Sequence, residues 1–203
     1  EAIGRVVDVF KDRGWWDDTD VIFTTDHGEF QGDFGLLFKG PYHVDSLMRL
    51  PLVWRPAPSR VGVTTPTVVN TPVSLVSLAA TFAHIAGLPQ PAYVEAARLP
   101  LNDTEAAELK HERVLTEWDS VLFGKIVSLR TITRGSWVCT ATLPGSLHDG
   151  TDGELYNLDN DPLQHHNLWH NSEHRAMRDD LLADMWDHLP ERKGVRRECD
   201  APV

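Results

Sequence analysis

The sequence feature that most constrains the fold is an apolar stretch that ends in three residues suited to a ligand site. Residues Val21–Thr25 are apolar or β-branched, which predicts a buried β-strand. This strand leads directly into Asp26, His27 and Gly28. In open α/β sheets, ligands bind just beyond the carboxyl ends of the strands. The pattern therefore indicates an α/β fold with a ligand site at the end of this strand.

Five residues at or shortly after this strand end are candidates for a ligand site, four through their side chains and one, a glycine, through its backbone. A carboxylate beside a neutral imidazole is a known pair of metal ligands, so Asp26 and His27 are candidate metal ligands. Gly28 lets the backbone turn sharply or approach a neighbour closely. Lys39 offers a mobile charge to an anionic oxygen, and His43 follows closely enough to face a substrate. An Asp-His-Gly sequence also occurs as a simple hydrogen-bonded turn, so a structural role stays open at this point.

A longer string of residues carries a family resemblance. Residues 25–41 read Thr-Asp-His-Gly-Glu-Phe-Gln-Gly-Asp-Phe-Gly-Leu-Leu-Phe-Lys-Gly-Pro, and Arg49-Leu50-Pro51 follows. This resembles the second metal-binding segment of the type I sulfatases, in the alkaline phosphatase superfamily. Phe34 departs from that pattern, because it stands where a second histidine is common, and that histidine's role is not carried over. Residues 154–162, Glu-Leu-Tyr-Asn-Leu-Asp-Asn-Asp-Pro, resemble the sulfatase C-terminal subdomain.

The resemblance implies a metal-dependent hydrolase of sulfuric esters. Asp26 and His27 would form half of a metal shell, for which calcium is usual and manganese or zinc are alternatives. Lys39 would be catalytic and would bind the ester, and His43 would also contact the substrate. The alternatives are a phosphonate monoesterase or phosphodiesterase of the same superfamily, and a non-catalytic, degenerate module.

The family nucleophile is a formylglycine made from the Cys or Ser of a C-x-P-S-R motif. Residues 56–60 match this motif except that Pro56 stands at the nucleophile position, so we interpret them as a loop. The chain opens at Glu1 without a methionine or a leading strand, and we expect it to be the C-terminal part of a longer protein. The missing N-terminal part would then supply the formylglycine, and the fragment alone would be inactive. The compartment and the oligomeric state are left open.

Composition limits the partners. The chain of 203 residues has 30 acidic and 19 basic side chains and a net charge of −11. This charge argues against nucleic acid and anionic membranes as partners, and no apolar run has the length of a membrane span. We therefore expect a small anionic ester bound at a local positive site. Cys139 and Cys199 lie far apart, which favours buried or free thiols over a disulfide.

The pattern along the chain predicts two regions. In the first, Leu52–Trp54 is a candidate companion strand, and a helix capped by Thr71 is expected to begin at Pro72 and to end at Gly87. In the second, alternating residues predict four short strands at Val114–Trp118, Ile126–Thr133, Trp137–Ala141 and Leu155–Leu158, with a hairpin turn at Arg134-Gly135. A helix with apolar residues every four positions follows and is expected to end at Pro190.

Together these patterns and the resemblance imply an α/β fold. It would be the C-terminal part of an alkaline phosphatase-like α/β sandwich, followed by a small α+β subdomain with an antiparallel sheet and a terminal helix. We predict that residues 1–110 belong to the catalytic domain and that residues 111–203 form the subdomain.

Overall fold

The structure is a computed structural model that describes residues 1–189. None of the helices in this part of the chain combines the length and the apolar character needed to cross a bilayer. Short 3-10 turns lie at Trp16–Asp18 and Asp33–Gly35. Between residues 1 and 110 the helices and strands are, in order, α1 (Ala2–Asp12), β1 (Val21–Phe23), α2 (Asp45–Met48), β2 (Val53–Arg55), α3 (Pro58–Val61), α4 (Ser77–Ile85) and α5 (Asp103–Glu108).

Strand β1 is shorter and less buried than the sequence predicts. It ends at Phe23, two residues before the expected end, and pairs antiparallel with β2. Phe23 lies opposite Val53, and these side chains are 44% and 62% exposed. Among the described residues β1 has one neighbouring strand, and Val21 and Ile22 are only half-buried, so the burial inferred from its apolar sequence is not reached. The companion strand that we predicted at Leu52–Trp54 is present, shifted by one residue.

Helix α4 begins later than predicted. The expected capping residue, Thr71, instead donates hydrogen bonds from its backbone amide and its hydroxyl to Asp103 Oδ1, both at 3.2 Å. This contact holds Thr71 against α5, and α4 begins at Ser77. The predicted end is confirmed, because Gly87 follows α4 with a φ of +66°.

The region after residue 110 follows the predicted pattern. Its antiparallel sheet has the order β3–β4–β5–β6, and each strand pairs with the next one along the chain. The predicted turn at Arg134-Gly135 joins β4 to β5, and Gly135 has a φ of +58°. The bounds are β3 (Val114–Leu122), β4 (Lys125–Arg134), β5 (Trp137–Thr142) and β6 (Gly153–Asn157), followed by a 3-10 turn (Ser172–His174) and α6 (Arg175–His188).

Helix α6 packs on one face of this sheet and forms the main core. Burial raises the pKa of the Cys139 thiol to about 12, so Cys139 is the buried, protonated thiol that the sequence favours. Cys199 and Pro190 lie outside the described residues. The fully or nearly buried members of this core are Ile132, Cys139, Ala141, Leu155, Trp169, Leu181 and Met185.

A second, smaller core lies beneath the loop that follows β1. Phe30, Val44 and Leu47 are buried together there. Beside them, the Gly28 amide donates a hydrogen bond of 2.8 Å to the Leu47 carbonyl oxygen. A Cβ atom at Gly28 would lie 1.9 Å from the Ser46 carbonyl oxygen, so α2 sits directly on the backbone of Gly28. This is the close approach that the sequence allows for Gly28.

Two polar contacts join the loop and α2 to the C-terminal region. His43 Nδ1 lies 2.7 Å from Thr131 Oγ1 on β4, and the His43 side chain is 3% exposed. The Asp45 amide donates a hydrogen bond of 2.6 Å to Gln164 Oε1. Burial, with a smaller contribution from the charge of Arg130, lowers the pKa of His43 to about 4. His43 is therefore a neutral imidazole near pH 7.

The close packing of Gly28 against α2 predicts that a methyl group added at Gly28 lowers the stability of the protein markedly. Gly28→Ala should lower the free energy of unfolding by at least about 1–3 kcal/mol, because the new Cβ would meet backbone atoms that cannot move aside cheaply. Gly4→Ala is the matched control. Gly4 lies in α1 with no atom within 4 Å of an added Cβ, so the change should be neutral or stabilise by up to about 1 kcal/mol. Urea denaturation of the full chain measures both, and a Gly28→Ala protein as stable as the wild type would contradict the described packing.

The buried, neutral state of His43 predicts a specific loss of stability in acid. An unfolded histidine titrates near 6.5 and the folded one near 4, so the unfolded state gains protons first as the pH falls. Between pH 6.5 and 4 the wild type should therefore lose about 3 kcal/mol more than His43→Gln, which cannot titrate. Thr133→Val, a change in β4 that removes no titratable group, is the control and should keep the wild-type pH dependence. Parallel curves for the wild type and His43→Gln would rule out this protonation.

Candidate functional site

The Asp26 carboxylate lies at the surface just after β1. Its Oδ1 atom accepts hydrogen bonds from the His27 amide at 3.1 Å and from the Thr25 hydroxyl at 3.2 Å. The side chain is 85% exposed. A hydrogen bond from its own backbone amide is the largest cause that lowers the pKa of this carboxyl below its usual range. Asp26 therefore presents a charged oxygen to solvent at neutral pH.

The His27 ring is oriented by its two nitrogen contacts. Nδ1 lies 2.7 Å from the Gly28 carbonyl oxygen, and because that oxygen can only accept, Nδ1 carries the proton. In the neutral ring, Nε2 then has a free lone pair. This atom accepts a hydrogen bond of 2.9 Å from the Lys39 ammonium. Asp26 Oδ2 lies 3.7 Å from the same nitrogen, so a carboxylate, an imidazole and an ammonium meet at one place.

This cluster has the donor types of a metal site. A carboxylate oxygen and an imidazole nitrogen are those that divalent cations bind in proteins. The Nε2 lone pair accepts the hydrogen bond from the Lys39 ammonium, which a metal ion at this nitrogen would have to displace. Within residues 1–189, no three His, Cys, Asp or Glu side chains gather in a group that could hold a metal ion. The metal-ligand role of Asp26 and His27 therefore stays a prediction.

Lys39 reaches this place from an exposed loop. The carbonyl oxygen of the preceding Phe38 accepts a hydrogen bond of 3.0 Å from the Phe30 amide, which ties the loop to the smaller core. The Lys39 side chain is exposed. Since its four-carbon stem can rotate, the ammonium can contact either His27 or an anion nearby.

His43 and Phe34 both contact the C-terminal region of the protein. His43 points into the protein and contacts Thr131, so the substrate contact expected of it stays a prediction that its burial does not favour. Phe34 has a φ of +55° and is 47% exposed. Its ring centroid lies 6.1 Å from that of Phe30 and 6.2 Å from that of His165, both with edge-to-face geometry. Phe34 thus packs between the loop and the C-terminal region.

The segment that partly matches a nucleophile motif has a structural role. Ser59 donates a hydrogen bond of 2.8 Å to Asp18 Oδ1, and Arg60 forms an ion pair of 2.6 Å with Asp20. These contacts fix α3 against the turn that precedes β1. Residues 58–61 are helical, so the expectation of a loop at 56–60 is wrong for its second half.

Sequence reasoning missed two residues beside the site. Thr131 and Gln164 contact the segment after Lys39 from 88 and 119 positions away, respectively. A threonine in a strand and a glutamine in a loop give no local signal of such a contact. Their burial, 4% and 3% exposed, is unusual for polar residues and is visible only in the folded chain.

Comparison with known proteins shows which proteins this chain is similar to. The sequence model of a family described as Sulfatase matches residues 1–88. Over 198 residues the chain is 30% identical to the uncharacterized sulfatase YidJ of Escherichia coli (strain K12), an alignment that covers 93% of this chain and 36% of YidJ. The chain thus spans little more than a third of the length of this relative.

Two solved structures show the same fold. The structure of BT4656, described in complex with its substrate D-glucosamine-2-N,6-O-disulfate, superposes with a TM-score of 0.72 at 19% identity, over 91% of this chain and 37% of that one. The phosphonate monoester hydrolase of Agrobacterium radiobacter superposes with a TM-score of 0.71 at 24% identity, over 92% of this chain and 38% of that one. The strand-end motif, the fold and the matched relatives agree, and the chain belongs to the sulfatase family of the alkaline phosphatase superfamily.

Proposed function

We propose that the chain is the metal- and anion-binding part of a sulfatase-like hydrolase that cleaves sulfuric esters. The observation that carries the proposal is the meeting of the Asp26 carboxylate, the His27 Nε2 atom and the Lys39 ammonium just after β1. The first two can bind a divalent cation, and the third can bind an anionic oxygen. A sulfate ester, whose charge lies on its oxygens, suits this combination.

Asp26 and His27 would hold the cation as part of its ligand shell. The donor types fit, since the proton on Nδ1 leaves His27 Nε2 with the lone pair that a cation needs, and the Lys39 ammonium that now occupies this lone pair can rotate away. We expect calcium because it prefers carboxylate oxygens, with manganese or zinc as alternatives because an imidazole nitrogen suits them better. When bound, the cation supplies a Lewis acid that neutralises ester oxygens and orients a nucleophile.

Lys39 would bind the ester and stabilise charge in the transition state. Its side chain is exposed, so the ammonium can move from His27 to an ester oxygen by rotation within the side chain. There it would donate hydrogen bonds to a non-bridging or leaving oxygen. Negative charge grows on that oxygen as the ester bond breaks, which makes the contact stronger in the transition state than before it.

We propose that a preceding part of the same protein supplies the formylglycine nucleophile and the other metal ligands. Two exposed apolar surfaces support this proposal. On α1, Ile3 and Val6 are 55% and 58% exposed, and on the β1–β2 pair, Phe23 and Val53 are 44% and 62% exposed. Further strands and helices packed there would bury these side chains, as in α/β sheets covered on both faces. The small share of YidJ that the chain spans is consistent with this.

Hydrolysis of phosphonate monoesters or phosphodiesters is the second candidate, favoured by the structural similarity to the A. radiobacter hydrolase. Sulfate and phosphonate esters both present charged, non-bridging oxygens, so one cation and one ammonium can serve either. Parallel rates of the full chain, by which we mean these 203 residues together with the preceding part proposed above, on an aryl sulfate, an aryl phosphonate monoester and a phosphate diester separate the two. No turnover of any of them by the metal-loaded full chain would instead favour a non-catalytic module.

Removal of the Lys39 ammonium should reduce turnover without unfolding the protein. Lys39→Met in the full chain should lower kcat for the preferred ester by about 100- to 1,000-fold, the usual effect of removing one donor to a developing oxyanion. The melting temperature should change little, because the side chain is exposed. Lys125→Met removes an exposed ammonium at the start of β4 and should leave kcat unchanged. Equal rates for Lys39→Met and the wild type would remove Lys39 from the mechanism.

The two proposed ligands should control metal affinity. Calcium, manganese and zinc titrated separately into the full chain by calorimetry should bind at least about 10- to 100-fold more weakly to Asp26→Asn and to His27→Ala, since each loses one donor atom. Asp33→Asn is the matched control, because Asp33 is exposed in the same loop and its carboxylate makes no hydrogen bond or ion pair among those described. Unchanged affinity in both ligand variants would place the metal elsewhere.

A further inference from the structure

We infer that Thr131 and Gln164, in the C-terminal region, are positioning residues that fix Lys39 and His27 relative to each other. Neither side chain contacts the proposed site directly. Thr131 holds the segment that carries Lys39, and Gln164 holds helix α2, which packs against the residue after His27. The inference rests on the proposed function for its effect on turnover, whereas its structural content can be tested without turnover.

The first anchor is a chain of hydrogen bonds that starts at His43. His43 Nδ1 lies 2.7 Å from Thr131 Oγ1, which lies 2.8 Å from Thr140 Oγ1 on the neighbouring strand. All three side chains are buried. A buried polar group that loses its partner carries the full cost of its desolvation, so His43 is strongly held at this point.

A stiff tether connects this anchor to Lys39. Three residues separate Lys39 from His43, and one of them is Pro41, whose ring fixes its φ. The Tyr42 amide donates a hydrogen bond of 2.8 Å to the Gly40 carbonyl oxygen. The Tyr42 ring also lies so close to Gly40 that an added Cβ would be 3.1 Å from it. A displacement of His43 therefore moves Lys39 instead of being absorbed by a flexible loop.

The second anchor is a cap supplied from outside helix α2. The first amides of a helix have no partner within it, and the residue before α2, Val44, has no side-chain oxygen to offer. Gln164 Oε1 fills this role by accepting a hydrogen bond from the Asp45 amide. The loop that carries Gln164 is held in turn by the Asp161 carboxylate, which accepts hydrogen bonds from two following backbone amides at 3.0 and 2.8 Å.

Helix α2 transmits this second anchor to His27. The residue after His27, Gly28, is hydrogen-bonded to Leu47 and lies against the Ser46 carbonyl oxygen with no room for a methyl group. The carbonyl oxygen of Gly28 also accepts the hydrogen bond from His27 Nδ1 that orients the ring. The position of α2 thus decides where His27 Nε2 points.

Thr131→Val tests the first anchor, because it keeps the shape of the side chain and removes the hydroxyl. Thr131→Ser keeps the hydroxyl and should behave as the wild type. Thr133→Val is the matched control: it makes the same change on the same face of β4, at a residue whose side chain makes no hydrogen bond among those described. Gln164→Met removes the acceptor of the second anchor. All variants are made in the full chain.

The structural measurement is the 15N signal of His27 Nε2 in histidine-labelled protein. Lys39→Met should shift this signal because Nε2 loses its donor, and Thr131→Val and Gln164→Met should shift it in the same direction. Thr131→Ser and Thr133→Val should leave it in place. In the turnover measurement, Thr131→Val should lower kcat by about 10- to 100-fold with little change in KM, as expected when a reacting group is displaced by a fraction of an ångström to 1 Å.

The outcomes distinguish the positioning role of Thr131 and Gln164 from the proposed hydrolase function. The positioning role would be overturned if the His27 signal did not shift in Thr131→Val and Gln164→Met, or if it shifted equally in Thr133→Val. It would also be overturned if the signal did not shift in Lys39→Met, because the contact between Lys39 and His27 would then not exist. A full chain that hydrolyses no ester but shows the expected His27 shifts would refute the proposed function and leave the positioning role supported.

Discussion

The contact of Gly28 with helix α2 is the constraint on which the candidate site depends. Glycine allows the Gly28 backbone to lie against the Ser46 carbonyl oxygen, where any Cβ would overlap it. This approach brings the chain after β1 onto the small core and turns the Gly28 carbonyl toward His27 Nδ1. That hydrogen bond leaves the Nε2 lone pair free to meet a cation. The backbone of the residue that follows His27 thus decides which ring nitrogen carries the proton and which one can accept.

The four-stranded sheet serves two purposes because its two faces carry different residues. On one face, Ile132, Cys139 and Leu155 pack against α6 in the main core. Side chains alternate along a strand, so the neighbouring Thr131 and Thr140 lie on the other face. Their hydroxyls are partners for His43, and the sheet therefore stabilises its own region and holds the Lys39 loop at the same time. This arrangement also explains why two threonines are buried in strands that could have been wholly apolar.

Local patterns predicted what depends on neighbours in sequence, and failed where distant residues intervene. The turn at Arg134-Gly135 and the end of α4 at Gly87 follow from glycine's freedom at positive φ. The start of α4 was misplaced because Thr71 bonds to Asp103, 32 positions away, and does not cap the helix. The strand-end motif gave Asp26, His27 and Lys39 as candidates, whereas the contacts of Thr131 and Gln164 have no local signature.

Three contacts at the candidate site cross the domain boundary that we predict between residues 110 and 111. His43 meets Thr131, the Asp45 amide meets Gln164, and the Phe34 ring meets that of His165. Each pairs a residue of the loop or α2 with one beyond residue 110. Phe34 shows the point most directly: where the family pattern commonly has a polar imidazole, this chain has an aromatic ring that packs toward the C-terminal region. A protein divided at this boundary would keep the Asp26–His27 sequence and lose the contacts that hold Lys39 beside it.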